Sequence, residues 1–267
     1  MRAALAATVA LAAAGSAAVA GGGPASAASA VQTRPSLPAT TKLVFSSSFT
    51  GTKVNPKIWA TCYWGTKGGC TNFGNGTKEK EWYLPSQVRV SNGTLLLVAQ
   101  HKTTAGLDAN GKPKTYACRS GMVTTDPGFH FRYGLIQITA QIPYNTGLWA
   151  GLWLAAANHR WPPEIDVLEH WHFDKQAKVY LHPVTGARQG GPVYTPGNLS
   201  RGWHNFRLNW TKTRLSWSID GVQVFTTTTN VPQQYMYLIA TLANDQLTTG
   251  SCTGTLAIKS VKIWQQS

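Results

Sequence analysis

An all-β sandwich, two antiparallel sheets stacked on each other, is what this sequence predicts. Three observations carry the prediction. Strand-length runs with period-two alternation recur along the chain, no helix-length amphipathic period interrupts them, and Asn-Gly and Asp-Gly pairs fall between adjacent runs. Such dipeptides favour φ > 0 at both central positions and so close two-residue type I′ hairpins.

The elements follow in chain order. Met1 and Arg2 precede an Ala/Val/Leu run to about Ala20, then a Gly/Pro/Ser break and the small-residue pattern Ala25-Ser26-Ala27-Ala28-Ser29-Ala30. A short apolar core behind one positive charge, ending at an Ala-x-Ala site, makes residues 1–30 an expected secretory signal peptide. The break leaves the apolar run short of the ~20 residues that span a bilayer, and no later segment is long enough. The expected location is therefore secreted and extracellular, with no membrane contact after cleavage. Residues 31–40, with Pro35 and Pro38, read as a short flexible lead-in. Residues 41–267 read as a single domain, ample for a sizeable core.

Within that domain Asn92-Gly93 lies between Val88-Arg89-Val90 and Leu95-Leu96-Leu97-Val98, and Asp220-Gly221 between Trp217-Ser218-Ile219 and Val222-Gln223-Val224-Phe225. Both read as hairpins. Ile136, Ile138, Ala140 and Ile142 alternate with Gln137, Thr139 and Gln141, the mark of a half-buried strand with a polar outer face.

The stretch Pro163-Glu164-Ile165-Asp166-Val167-Leu168-Glu169-His170 holds three of only ten acidic residues, in a chain with 24 Lys and Arg. Its Ile-Asp-Val alternation reads as a strand, on which Glu164 and Asp166 share a face. Glu169 is out of step by one residue, and a β-bulge after Asp166 would restore it. Like charges crowded on one face repel, so the cluster needs a reason. Retaining glycoside hydrolysis supplies one, since it uses a carboxylate nucleophile and a carboxylic acid/base. The alternative is an ordinary surface strand whose acids pair with Lys and Arg. Trp149 and Trp153 stand four apart just before the acids, on one face of a strand. Their rings suit the flat C–H faces of sugars, the alternative being burial in the core.

Four cysteines in an exported chain read as two disulfides with three possible connectivities. The preferred pairs are Cys62–Cys70, closing a Gly-rich loop, and Cys118–Cys252, joining distant strands. A zinc site lacks the Cys-x-x-Cys spacing.

Taken together, Gly147-Leu148-Trp149-Ala150-Gly151-Leu152-Trp153-Leu154 and the acidic stretch resemble the catalytic signature of glycoside hydrolase family 16. The spacing Glu-x-Asp-x-x-Glu is similar to the laminarinase (endo-1,3-β-glucanase) branch, whereas the lichenase and xyloglucan-transferase branches use Glu-x-Asp-x-Glu. Leu43-Val44-Phe45-Ser46, Trp82-Tyr83, Asn92-Gly93-Thr94-Leu95, Arg132-Tyr133-Gly134, Trp203-His204, Trp210, Asp220-Gly221 and Val261-Lys262-Ile263-Trp264 also look like family landmarks. The resemblance thus runs through the mature chain in order. It implies a concanavalin-like jelly roll with a substrate cleft across its concave sheet. It also implies Glu164 as nucleophile, Glu169 as general acid/base, and Asp166 as the residue that orients and tunes Glu164.

The same resemblance makes Trp149 a cleft residue more readily than Trp153, and its pattern offers His182 as a substrate contact. Trp161, His170 and Trp171 flank the acids and are candidates for the cleft wall. Arg119 and Arg132 are candidates for hydroxyl or anion recognition. For each the alternative is core packing or solvated surface.

Departures from the family pattern carry expectations too. Ser47 and Ser48, and Lys259-Ser260-Val261, stand where acids are usual, so no tightly bound calcium, other metal or cofactor is expected. Thr241 replaces the usual Asn, and Asn244-Asp245 the usual Gly-Gly, so the cleft should differ in shape at that end.

The formal net charge of +14 comes without a Lys/Arg cluster or a nucleic-acid motif, so no nucleic-acid partner is expected. Adhesion to anionic walls or action on an acidic polysaccharide remains. The leading expectation is a monomeric retaining endo-β-glycanase whose partner is a polysaccharide, β-1,3-glucan or mixed-linkage β-glucan. The alternatives are the same mechanism on an anionic or galactan polymer (agar, carrageenan, glycosaminoglycan), a transglycosylase, or a non-catalytic glycan-binding jelly roll.

Overall fold

Both Asx-Gly turns form with left-handed backbone, Asn92 at φ 49° and Gly93 at 70°, Asp220 at 50° and Gly221 at 87°. They belong to a computed structural model that describes residues 41–63, 79–108, 110–144, 147–171, 176–193, 197–244 and 251–266. The expected signal peptide and lead-in lie outside the described residues, as does Cys70 of the preferred Cys62–Cys70 pair.

In chain order the first eight strands are β1 (Thr41–Ser47), β2 (Glu81–Tyr83), β3 (Val88–Ser91), β4 (Thr94–Leu107), β5 (Pro113–Ser120), β6 (Met122–Thr124), β7 (Gly134–Gln141) and β8 (Leu148–Ala156). The remaining eight are β9 (Glu164–Trp171), β10 (Ala177–His182), β11 (Gln189–Val193), β12 (His204–Trp210), β13 (Leu215–Ile219), β14 (Val222–Thr227), β15 (Met236–Asn244) and β16 (Gly254–Gln266). Among the described residues the one helical segment is a 3₁₀ turn at Pro85–Gln87.

Two sheets result. The larger runs β14-β13-β12-β7-β16-β4-β5-β2, with β1 on β16 and β3 on β4; the smaller runs β11-β10-β9-β8-β15-β6. Pairing is antiparallel throughout except β2 with β5. The predicted alternation on β7 sends Ile136, Ile138 and Ala140 into the core. There they join Phe206, Leu208 and Trp210 from β12, and face Leu152 and Leu154 of β8, Ile165, Val167 and Leu168 of β9 and Leu238 and Leu242 of β15. Each large side chain so buried contributes about 1.5–3 kcal/mol.

β15 is buried on both faces along its whole length. Its second face, with Tyr237 and Ile239, joins Tyr63, Tyr83, Met122 and Trp153 in a smaller apolar cluster. The predicted Cys118–Cys252 disulfide is present, tying β5 to the residues just ahead of β16.

Candidate active site

The site is organised by an irregularity in β9. Leu152 of β8 pairs with Leu168, and the next residue, Trp153, pairs with Asp166. On the other side Lys178 pairs with Glu169 and Tyr180 with Asp166, so two steps on β10 match three on β9. One extra residue is therefore accommodated between Asp166 and Leu168, where the spacing of the acids predicts a bulge. Val167 and Leu168 both go into the core. Glu164, Asp166, Glu169 and Trp171 then share the opposite face and line one cavity of about 290 Å³.

The neighbouring strands complete that face. On β8 the period of two brings Trp149, Gly151 and Trp153 to the cavity. Trp149 lies opposite Trp171 in register, ring centroids 4.6 Å apart. Trp153 lies opposite Asp166 and packs against Tyr63 at 6.4 Å. Gly151, opposite Glu169, lies between them. A Cβ there would sit 2.7 Å from Thr241 Oγ1 and 3.3 Å from Trp153 Cδ1, so the cleft floor has no room for a side chain.

On β10, His182 stands opposite Glu164. Its Nε2 is 3.5 Å from Glu164 Oε1 and 3.4 Å from Asp166 Oδ2. Asp166 is buried, and its Oδ2 takes no hydrogen bond among the described residues. Glu164, Asp166 and His182 bring ligand atoms within 4.8 Å of one another, the one grouping of this kind among the described residues. Two carboxylates and an imidazole there are a donor set a divalent cation would accept.

Burial holds all three carboxyls above the ordinary carboxylate range. For Glu164, burial and then Asp166 raise it, while His182 and the indole of Trp161 favour the charged form. For Asp166, burial and Glu169 raise it and the Arg188 guanidinium opposes. For Glu169, burial dominates, opposed by His182, Lys178, the Trp149 indole and Arg188. Three carboxyls in one apolar cleft thus retain protons to higher pH than solvated acids would, the condition a general acid needs.

A pair of further acids stands beside these three. Glu79 lines the cavity, and the Tyr83 hydroxyl donates to its Oε1 at 3.3 Å. Glu81 is fully buried, and the backbone N–H of Asn244 donates to its Oε2 at 2.6 Å. Its carboxyl is pushed up by burial first and by Glu79 second.

Of the residues nominated from sequence, Glu164, Asp166, Glu169, Trp149, Trp153, Trp171 and His182 come together in the cleft. Two do not. His170 is buried, opposite Ala150 and Ala177 on the core face of β9. The bulge that turns Glu169 and Trp171 toward the cleft turns the residue between them away. Arg132 follows the core residue Phe131 and is exposed, its guanidinium 5.4 Å from the Tyr133 ring and 5.1 Å from the Tyr235 ring. It lines a different depression, with Leu135, Asn209 and Trp264 of the larger sheet. Arg119 donates to Gln100 Oε1 at 2.6 Å and is likewise outside the cavity lining.

Tyr63, Glu79, Gly151 and Arg188 line the cleft without having been nominated, and Thr241, whose departure from the family pattern bears on the shape of the cleft, lines it too. Glu79 and Glu81 carried a usable signal, being two acids two residues apart in an acid-poor chain. Arg188, between β10 and β11, follows no periodicity and carried none.

A family model described as glycosyl hydrolases family 16 matches residues 76–259. The endo-1,3-1,4-beta-glycanase ExsH of Rhizobium meliloti (strain 1021) is 30% identical over 200 residues, 70% of this chain and 42% of that protein. The endo-1,3-1,4-beta-glycanase EglC of the same organism is 27% identical over 202 residues, 71% of this chain and 41% of that protein. The chain thus spans about two fifths of the length of these relatives. Among solved structures, the catalytic domain of an endo-1,3-beta-glucanase (laminarinase) from Thermotoga petrophila RKU-1 matches with a TM-score of 0.70 at 24% identity, over 85% of this chain and 98% of that one. The two share the laminarinase jelly-roll fold.

Proposed function

The chain belongs to glycosyl hydrolase family 16, and from that premise we propose that it is a secreted, retaining endo-β-glucanase acting on β-1,3-glucan or mixed-linkage β-1,3-1,4-glucan. The observation that carries the reading is the bulge in β9, which puts Glu164, Asp166 and Glu169 on one face of an aromatic-lined cleft. The names of the relatives support the substrate class, and the Ala-rich leader supports export.

The chemistry follows from the geometry. Sugar rings pack on Trp149, Trp153 and Trp171. Glu169 donates its proton to the glycosidic oxygen while Glu164 attacks the anomeric carbon, so the leaving chain departs as an alcohol and a glycosyl ester forms. Glu169, now ionised, takes a proton from water, whose oxygen attacks the same carbon and releases Glu164. Asp166 beside Glu164 raises the cost of charge on the nucleophile until the ester removes it, and His182 opposes that rise.

The test is reducing-sugar release from laminarin and mixed-linkage β-glucan, with proton NMR of the first-formed chain ends. Net retention of the β anomer is expected. An α anomer formed first would overturn the retaining mechanism, and silence on both polymers the glucanase reading. Glu164→Gln should abolish turnover. Glu169→Gln should cost about 10²–10⁴ in kcat on a substrate with a poor leaving group. Both variants should still fold and bind polymer.

A further inference from the structure

The cleft is electrically lopsided. The catalytic acids occupy β9, near the middle of the smaller sheet. On one side, β10 faces the cleft with Lys178, Tyr180 and His182 in register with Glu169, Asp166 and Glu164. Arg188, in the link to β11, lays its guanidinium 4.3 Å from the Tyr180 ring and lines the cavity. Lys178 Nζ lies 4.8 Å from the Trp171 ring. On the other side, beyond β8, the segment carrying Glu79 and Glu81 is fixed to the end of β15, where Lys80 N–H donates to the Asn244 carbonyl and Asn244 N–H to Glu81.

Arg188 is exposed and makes no hydrogen bond or ion pair among the described residues. Stacking on Tyr180 pins a planar guanidinium in place at low entropy cost and leaves its donor edge open. A neutral hydroxyl uses one such donor. A carboxylate or sulfate takes two in parallel, the strongest pairing available to arginine. At the opposite end Glu79 lines the cavity, and its carboxylate disfavours an anion there, as the ionised nucleophile does in the centre. The chain as a whole, at +14, attracts an anionic polymer to its surface.

We propose that the cleft selects a β-glucan carrying anionic oxyanion substituents, held by Arg188 on the sugars that lie over β10 and β11, with unsubstituted sugars on the Glu79 side. The proposal rests on the glucanase reading above and specifies its substrate. It makes Arg188 a specificity-determining residue and gives the charged chain one orientation in the cleft.

The experiment compares initial rates of the wild type, Arg188→Gln and Arg188→Lys on laminarin, carboxymethylated laminarin and sulfated laminarin. Measurements at low and high salt, and mass spectrometry of the product ends, complete it. The wild type should show a KM about tenfold lower on at least one charged polymer, with the preference reduced by salt. Arg188→Gln should lose about tenfold more on that polymer than on laminarin, and Arg188→Lys should fall between. Substituents should be enriched on one side of the cleaved bond. The two charged arms identify whether the bound group is carboxylate or sulfate. Cleavage of laminarin with no charged preference, equal losses on all polymers, or substituents spread equally over both ends would overturn the proposal and leave the glucanase reading standing. Cleavage of none of the three would overturn both.

Discussion

The indole nitrogen of Trp217 donates a 2.8 Å hydrogen bond to the backbone carbonyl of Asp166. Trp217 lies on β13 of the larger sheet and Asp166 on β9 of the smaller, so the bond crosses the core and ends at the bulge. A bulge releases backbone groups from the ladder, and a buried carbonyl left without a donor costs about 1–3 kcal/mol. Trp217→Phe keeps most of the ring and removes the donor. A loss of about 1–3 kcal/mol in denaturant unfolding is expected, with kcat falling more than KM rises, because the carboxylates are disturbed and the aromatic rings of the cleft are not. Wild-type stability and kcat in this variant would show that the bulge needs no such brace.

His182 should set the position of the pH profile. The imidazole favours the charged forms of both Glu164 and Glu169, against burial, which raises them. Removing it lets both carboxyls rise. The acid limb, which reports ionisation of the nucleophile, and the alkaline limb, which reports loss of the proton from the acid/base, should both move to higher pH in His182→Asn. A fall in rate with the profile unmoved would reduce His182 to a packing residue.

Gly151 is a steric requirement of the cleft floor. Gly151→Ala places a methyl group against Thr241 Oγ1 and the Trp153 ring, and overpacking of this kind costs about 1–3 kcal/mol. Activity should fall with it, since Trp153 is displaced. Because the closest contact is a single hydroxyl, Gly151→Ala in a Thr241→Ala background should cost less than in the wild type. Additive effects in thermal melts and in kcat/KM would mean that the strain is taken up elsewhere.

Glu81 should be a stability cost at neutral pH. Its folded carboxyl lies well above the ordinary range through burial and Glu79, so the folded state binds this proton more tightly than the unfolded chain. Below the unfolded carboxylate range both states are protonated and nothing is lost. As pH rises through that range the unfolded chain ionises first, and stability falls until the folded pKa is passed. Glu81→Gln removes the titration and keeps an oxygen for the Asn244 N–H. Its Tm should exceed the wild type's near neutrality, with the gap closing below about pH 4. A gap constant across pH would exclude the titration as its cause.

What the sequence disclosed about this site was parity. Because side chains on a regular strand alternate, acids at the odd spacing of Asp166 and Glu169 share a face only across a bulge, and the register of β8 and β10 on β9 contains it. The same arithmetic carried one residue further would have turned His170 into the core and kept Trp171 in the cleft. Arg132 could also have been placed outward from its neighbour Phe131. Tyr63, Glu79 and Arg188 were a different problem. Tyr63 and Glu79 come from distant parts of the chain, Tyr63 packing on Trp153 of β8 and Lys80, next to Glu79, bonding to Asn244 of β15, while Arg188 folds back onto Tyr180 from the link between β10 and β11. No local period encodes such returns. The hairpins at Asn92-Gly93 and Asp220-Gly221 were legible for the opposite reason, since two residues suffice to fix each one.

The bulge also makes β9 tolerant to a change of length at one place only. A flat strand keeps its acids on one face when they are separated by even steps; the extra residue between Asp166 and Leu168 turns an odd step into an even one. Removing Val167 would give the even spacing outright, with Glu169 and Trp171 facing the cleft as before. An insertion or deletion elsewhere in the strand would turn over every residue beyond it and exchange the cleft-facing acids for core residues. The shorter and longer acidic motifs are in this sense one solution counted two ways, and the exchange point between them is a single hydrophobic residue on the core side of the strand.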